Sequence, residues 1–367
     1  MIPLVDLQAA TRELEPELRS AIDRVMTHGQ FVAGPEVEAF ERAWAAFTGA
    51  RHVVAVASGT DAVELMVRGS NLGRDDSVLV PANTFIASAL GVLRAGARVN
   101  LVDCTEDGLI DLNAARLDAT VKAVMPVHLF GQCVDVAALQ AFASTHGLLV
   151  LEDAAQAHGA TWRGRQAGTF GHAAAVSFYP GKNLGAFGDG GAVMTRDESM
   201  AKRLRVLRNY GAEVKYEHRE QGLNSRLDAL QAAVLSVKLT RLAEWNLRRA
   251  VAAARYDGLL ADLPDVVRPR VLPDNAHVFH LYVVRVPERR RDQVLASLHR
   301  AGVGAGIHYP IPLHLQGALS HLGHRRGDFP MAERLAGEML SLPLSPHLTV
   351  GQQEEVVSAL RRAMEGS

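Results

Sequence analysis

Lys182 stands in the segment Ser177-Phe178-Tyr179-Pro180-Gly181-Lys182-Asn183-Leu184-Gly185, among small and apolar residues rather than other charges, and Gly188-Asp189-Gly190-Gly191 follows it. Upstream, the apolar run Leu148-Leu149-Val150-Leu151 ends in Glu152-Asp153-Ala154-Ala155-Gln156-Ala157-His158-Gly159. A buried lysine shifts its pKa readily and becomes a reactive amine. An acid at the carboxyl end of one strand and a lysine just past the next supply two groups that pyridoxal phosphate chemistry needs: an amine for the Schiff base and a carboxylate for the pyridinium nitrogen. Each residue alone also has a plainer reading, the lysine as a solvated loop charge and the aspartate as a helix or turn cap. Gly181-Lys182-Asn183 is not a phosphate loop, because no hydroxyl residue follows the lysine and no glycine stands at the required upstream spacing.

A second constellation follows the run Val53-Val54-Ala55-Val56-Ala57, where Ser58-Gly59-Thr60-Asp61 opens a helical pattern. Amides at a helix N-terminus attract a phosphate, and a glycine lets the backbone approach it, although Ser-Gly-Thr before a helix, taken alone, is most often a simple N-cap. Phe85, in Pro81-Ala82-Asn83-Thr84-Phe85-Ile86-Ala87-Ser88, reads by itself as a core side chain on the first turn of a helix. Histidines gather late in the chain, but His277-x-x-His280 and His321-x-x-His324 lack a cysteine or acid at ligand spacing, and His-Glu-x-x-His is absent, so no metal is expected.

These groups need a scaffold, and the chain supplies one in alternating short apolar runs and helical patterns. Val53–Val56, Ser77–Val80, Arg98–Val102, Ala123–Val127, Leu148–Leu151 and Ala173–Phe178 lack clean polar alternation, as strands buried on both faces do. Segments such as Val134–Ala143 fit crossover helices. The pattern predicts an α/β domain with a mostly parallel sheet covered by helices. From Leu227 to Leu260 the spacing predicts long helices, and Pro264, Pro269 and Pro273 mark a linker-like passage. A smaller α+β unit follows, with a strand over Phe279–Val286 and a helix over Arg291–Ala301.

Composition excludes several classes. Lys plus Arg total 39 against 40 Asp plus Glu, a formal net charge of −1, so no global field recruits nucleic acid or an anionic membrane. The two cysteines, Cys104 and Cys133, are too few for a disulfide framework and read as buried thiols. The start Met1-Ile2-Pro3-Leu4-Val5-Asp6 lacks a signal-peptide pattern, and no apolar stretch reaches about 18 residues, so a cytoplasmic location is expected.

The strings Glu152–Ala160 and Ser177–Gly185 resemble the signature segments of the DegT/StrS-type nucleotide-sugar aminotransferases, fold-type I enzymes dependent on pyridoxal 5'-phosphate. The likeness runs from Pro3-Leu4-Val5-Asp6-Leu7, through Asn224-Ser225-Arg226-Leu227-Asp228, to Leu340-Ser341-Leu342-Pro343-Leu344. It implies an aspartate aminotransferase-like large domain over residues 1–250 and a small domain over 251–367, with the N-terminal segment free to pack with the latter. It also assigns roles. Lys182 carries the Schiff base and Asp153 faces the ring nitrogen, while Gly59, Thr60 and Ser177 hold the phosphate. Phe85 stacks on the ring, and Gln156 lies near the phenolic oxygen. His158 reads either as a brace for Asp153 or as a structural histidine. Asn224 matches a residue lent to the phosphate by the neighbouring subunit, which implies a homodimer with shared sites. In Gly306-Ile307-His308-Tyr309-Pro310-Ile311-Pro312-Leu313-His314, the residues His308, Tyr309 and His314 are the substrate candidates.

The implied reaction takes the amino group of L-glutamate, releases 2-oxoglutarate, passes through pyridoxamine phosphate and aminates a ketone on a dTDP- or UDP-linked deoxysugar. The form of the 308–314 run, with Leu322-Gly323-His324 and Gly327-Asp328-Phe329-Pro330, is closer to members acting on 3-keto sugars than on 4-keto sugars, which stay the alternative. In the dehydratase branch a histidine replaces the cofactor lysine, whereas Lys182 is present here. A non-catalytic sensing or regulatory relative would need the cofactor set dismantled. A nicotinamide enzyme would need Gly-x-Gly-x-x-Gly after the first strand, which is missing.

Overall fold

The computed structural model describes residues 1–365 of the chain. Seven of its strands form one sheet: β1 (His52–Val56), β2 (Ser77–Pro81), β3 (Arg98–Val102), β4 (Val121–Val124), β5 (Leu149–Asp153), β6 (Ala173–Ser177) and β7 (Gly191–Thr195), in the order β1-β7-β6-β5-β4-β2-β3. The pairs β2–β3, β2–β4, β4–β5 and β5–β6 are parallel, whereas β7 runs antiparallel to both β6 and β1. Strands β1 to β6 therefore share one direction and end on one edge of the sheet, where β7 begins. Their Val, Leu and Ala side chains are almost wholly buried, as a sheet covered on both faces requires. Strand β4 stops short of the predicted Val127 because Pro126 has no N–H to donate to the ladder.

Helices cover the faces. Gly59–Gly69 and Ile86–Arg94 pack together on one side, and Pro35–Thr48 packs against Ala229–Leu239 on the other. The predicted long helices appear as Ala229–Leu239 and Leu242–Leu259. Beyond them, β8 (Tyr282–Arg285) pairs antiparallel with β9 (Met339–Leu342). Strand β8 starts later than the sequence pattern suggests, since Phe279 sits at φ 44°, a left-handed backbone incompatible with a strand. Glu288–Arg300, Val350–Glu365 and the end of Leu242–Leu259 close a second apolar cluster around Tyr256, Tyr282, Val294, Leu340 and Leu360.

The chain start belongs to that cluster. Ile2 bridges Val303, Gly304 N donates to Ile2 O at 2.8 Å, and Leu344 N donates to Leu4 O at 3.0 Å. At the end of β5, Glu152 and Asp153 point to opposite faces, as successive strand residues must. The Glu152 carboxylate, fully buried, accepts from Gly168 N (2.8 Å), Phe170 N (2.7 Å) and Gly171 N (2.7 Å), and pairs with His128 Nε2 (2.8 Å). It pins the return loop to β6 and leaves Asp153 to the other side. Among the described residues no helix is long and apolar enough to cross a membrane.

Candidate active site

The shared carboxyl edge opens into a cavity of about 490 Å³, within the usual size for a small-molecule site, and its position outside the strand ends follows the rule for α/β sheets. Four strand ends supply most of its lining: Ser58, Gly59 and Thr60 after β1, Thr84 and Phe85 after β2, Asp153 at the end of β5 with Gln156 just beyond it, and Ser177 of β6 with Lys182 after it. His308 and Tyr309 close it from the C-terminal unit.

Lys182 rides on a loop with little freedom. Lys182 N donates to Tyr179 O, Leu184 N to His158 Nδ1 (3.1 Å), and Lys238 Nζ to Gly185 O (2.7 Å); Asn183 Nδ2 bonds both Asn246 Oδ1 and Val278 O. Burial pushes the Lys182 amine down to about 8, with the Asp153 charge opposing that shift, so far more of it is neutral near pH 7 than of a surface lysine. Burial, with the Lys182 charge adding, also lowers His308 to about 4 and His158 to about 3, and takes His280 well below its usual value. All three imidazoles are neutral around the amine at neutral pH. Asp153 Oδ2 accepts from Ser88 Oγ at 2.7 Å, and Oδ1 accepts from Ala155 N at 3.1 Å.

At the other end of the cavity, Ser58 caps the helix Gly59–Gly69 by accepting from Asp61 N, which leaves amides of its first turn facing the space beside Ser177. Two glycines permit this close approach. A Cβ on Gly59 would lie 2.5 Å from Ser177 Cβ, and a Cβ on Gly191, the first residue of β7, would lie 2.4 Å from Ser58 O. The result is a cradle of amides and hydroxyls at a helix N-terminus, an arrangement suited to phosphate.

Between the ends, the orientation of Gln156 is set by its neighbours. Its Oε1 accepts from Phe130 N at 2.7 Å, so its Nε2 is the group that donates, to Tyr309 Oη at 3.1 Å. Tyr309 is held well above its usual pKa, by burial first and by the Asp153 charge second, so it is a neutral hydroxyl whose own proton points onward. Phe85 is no core residue: it is 51% exposed, faces the cavity, and its ring lies 5.3 Å from that of Tyr309. His308 Nδ1 shares a hydrogen bond with Ser341 Oγ at 2.8 Å.

Gly59, Thr60, Phe85, Asp153, Gln156, Ser177, Lys182, His308 and Tyr309 thus meet in one cavity. Two predicted residues do not. His314 is turned away: its ring is buried, bonds Glu333 at 2.9 Å and packs on Phe329, which removes it from the substrate candidates of this cavity. Asn224 is exposed, and its Oδ1 accepts from Arg226 Nη2, while the adjacent Ser225 Oγ donates to Asp61 Oδ2 (2.9 Å) at the base of the cradle. Of the two readings of His158, the structural one fits: its Nδ1 accepts from Leu184 N, and its ring packs on Trp44 and Phe178. Sequence reasoning missed Ser88 and Thr84, whose i, i+4 spacing at a helix start was the available signal, and gave no site role to Leu4 and Val5, which line the cavity and whose only signal was their place in the segment Pro3–Leu7 that carries the likeness. It also passed over Asp189, at the cavity wall between the glycines.

Known proteins repeat this architecture. The sequence matches the DegT/DnrJ/EryC1/StrS aminotransferase family over residues 12–361. It is 46% identical, over 99% of this chain and 96% of the relative, to the dTDP-3-amino-3,4,6-trideoxy-alpha-D-glucose transaminase of Streptomyces venezuelae. It is equally 46% identical, over 98% and 99% of the two chains, to the erythromycin biosynthesis sensory transduction protein EryC1 of Saccharopolyspora erythraea. The crystal structure of S. venezuelae DesV in complex with a ketimine intermediate superposes with a TM-score of 0.95 at 46% identity, covering 98% of each chain. With the family matched across nearly all of its length, the chain belongs to the DegT/DnrJ/EryC1/StrS aminotransferases.

Proposed function

We propose that this chain transfers the amino group of L-glutamate to the C3 keto group of a nucleotide-linked sugar, using pyridoxal phosphate held in the cavity. The observation that carries the reading is the pairing, within one cavity, of a buried amine lowered to about 8 with a buried, doubly hydrogen-bonded carboxylate. The donor set fits the cofactor: a cradle that a Cβ on Gly59 would fill, a lysine, a carboxylate and an exposed aromatic face. When bound, pyridoxal phosphate supplies an electron sink for charge developing at the amino-bearing carbon.

The chain's own residues do the rest. The amides at Gly59 and Thr60 and the Ser177 hydroxyl hold the phosphate, and Phe85 offers its face to the ring. Asp153 holds a proton at the ring nitrogen, and the Gln156 amide donates near the phenolic oxygen. Lys182 Nζ, once freed, takes the α-proton of L-glutamate and, in the reverse sense, serves the sugar carbon. His308 and Tyr309 orient the sugar. A sensing role, which the name of the Saccharopolyspora relative suggests, gains no support from a cavity that gathers Gly59, Thr60, Phe85, Asp153, Gln156, Ser177 and Lys182. The C3 assignment draws on the amine position in the name of the S. venezuelae transaminase. Incubating the pure protein with L-glutamate and matched 3-keto and 4-keto dTDP- and UDP-sugars tests it: a 3-amino sugar and equimolar 2-oxoglutarate are expected. Faster turnover of a 4-keto sugar, or none of any, would contradict the reading.

We also infer a cytoplasmic homodimer that shares its sites, built from a large domain over residues 1–250 and a small one over 251–367. The exposed apolar side chains Phe31, Val32, Phe187 and Tyr210 surround the segment that carries Asn224: Val32 bridges Asp228, Phe187 N bonds Gln231, and Tyr210 N bonds Leu223 O. An apolar patch of this kind is normally covered by a partner, and a second copy brings Asn224 with it. Mixing impaired Asn224→Ala and Lys182→Ala subunits gives hybrids with one intact site when Asn224 crosses the interface. Activity above the parental average is the expected result. With subunit exchange confirmed, activity no higher than that average assigns Asn224 to its own chain.

A further inference from the structure

Asp153 is supported by a short chain of hydroxyls that the roles assigned above leave unused. Ser88 Oγ donates to Asp153 Oδ2 at 2.7 Å, and Ser88 Oγ lies 3.0 Å from Thr84 Oγ1. An ionised carboxylate only accepts, so the single Ser88 proton is committed to Asp153, and in the second contact Thr84 is the donor. The polarity of the chain is therefore set from Thr84 to Ser88 to Asp153. All three are shielded from solvent, with relative exposures of 3%, 1% and 6% respectively.

Hydrogen bonds to a charged acceptor in such surroundings are strong, and each donor in a row strengthens the next. Ala155 N occupies Oδ1 at 3.1 Å, so both carboxylate oxygens are held and the group cannot rotate freely. The same segment presents Phe85 to the cavity, placing the aromatic face and the carboxylate's support on one helix start. Lys182 and Tyr309 are the titratable groups that feel the Asp153 charge across the cavity.

We propose that Ser88, backed by Thr84, is a positioning residue that keeps Asp153 charged and aimed at the cofactor's ring nitrogen, and thereby sets how fully that nitrogen is protonated. The proposal rests on the assignment of Asp153 made above. A hydroxyl donated to a carboxylate favours its charged form. Without it, Asp153 would hold a bound cofactor's ring nitrogen in its protonated form less firmly. The pH midpoint of a cofactor loaded at Lys182 would then rise.

The test uses holoenzymes of Ser88→Ala, Ser88→Thr, Thr84→Val and Asp153→Asn reconstituted with pyridoxal phosphate. Three quantities are read: the pH midpoint of the bound cofactor's visible absorbance, kcat against KM for the sugar, and thermal unfolding. Ser88→Ala is expected to raise the midpoint by about one unit and lower kcat by about tenfold, the scale of one charge-assisted hydrogen bond, with KM and unfolding unchanged. Ser88→Thr restores both readouts, and Thr84→Val shifts them the same way by less. A wild-type midpoint in Ser88→Ala, with Asp153→Asn severely impaired, overturns the positioning role and leaves Asp153 in place. An unimpaired Asp153→Asn overturns the assignment of Asp153 itself. If Ser88→Ala does not fold, an unshifted midpoint in Thr84→Val overturns the role.

Discussion

Lys182→Ala abolishes amino transfer while leaving the fold intact. The loss is expected to reach at least the contribution of a positioned proton-transfer group, about 10²–10⁴-fold in kcat, and to be larger because the covalent anchor goes too. The fold survives because the loop around the lysine is held by other groups: Asn183 to Asn246 and Val278 O, Leu184 N to His158, and Lys238 to Gly185 O. Removing the amine also removes the burial cost that lowers its pKa to about 8. Thermal unfolding within a few degrees of wild type, together with single-turnover assays of glutamate and keto sugar, checks the prediction. Residual activity above about one-tenth of wild type would assign the chemistry to another amine.

Asp153→Asn has the second-largest effect. Its side chain keeps the shape and the contact with Ser88, because the amide oxygen still accepts from the hydroxyl that now bonds Oδ2 at 2.7 Å. The amide has no second oxygen to accept from Ala155 N as Oδ1 now does, and being neutral it cannot hold a proton on a bound cofactor's ring nitrogen as the carboxylate does. Loss of one such preorganised electrostatic contact costs about 10²–10³-fold in kcat. The KM for the sugar should stay within about threefold, since His308 and Tyr309 are untouched. A kcat within about tenfold of wild type would mean that the acid only supports the end of β5.

Apart from His308 and Tyr309, which only the family resemblance pointed to, the residues legible in the sequence share one property: each lies within a few positions of a strand end. Asp153 closes β5, Lys182 follows β6, and Gly59 follows β1, so local patterning and the parallel sheet together bring them to one edge. Contacts that depend on strand order were not legible. Ser88 follows β2, yet it meets Asp153 of β5 across the intervening β4, and no local pattern encodes that adjacency. Leu4 and Val5 reach the cavity from the far end of the chain because Ile2 and Leu4 are tied to Gly304 and Leu344. His314 misled for a related reason. It stands close to His308 in sequence, but the turn Leu313–Leu315 rotates its ring into the core against Phe329. The helical N-terminal segment, Leu7–Thr48, was passed over because its patterning carried no chemistry, and β7, a short Gly191–Thr195 strand starting at the end of a glycine run, was passed over with it.

The most direct measurement is borohydride reduction of the pyridoxal phosphate-loaded protein followed by peptide mapping. The expected result is one cofactor per chain, fixed to the peptide that contains Lys182 and absent from Lys182→Ala. Label on a different lysine, such as the buried Lys238, or no label on a protein that still aminates the keto sugar, would contradict the assignment of this cavity as the active site.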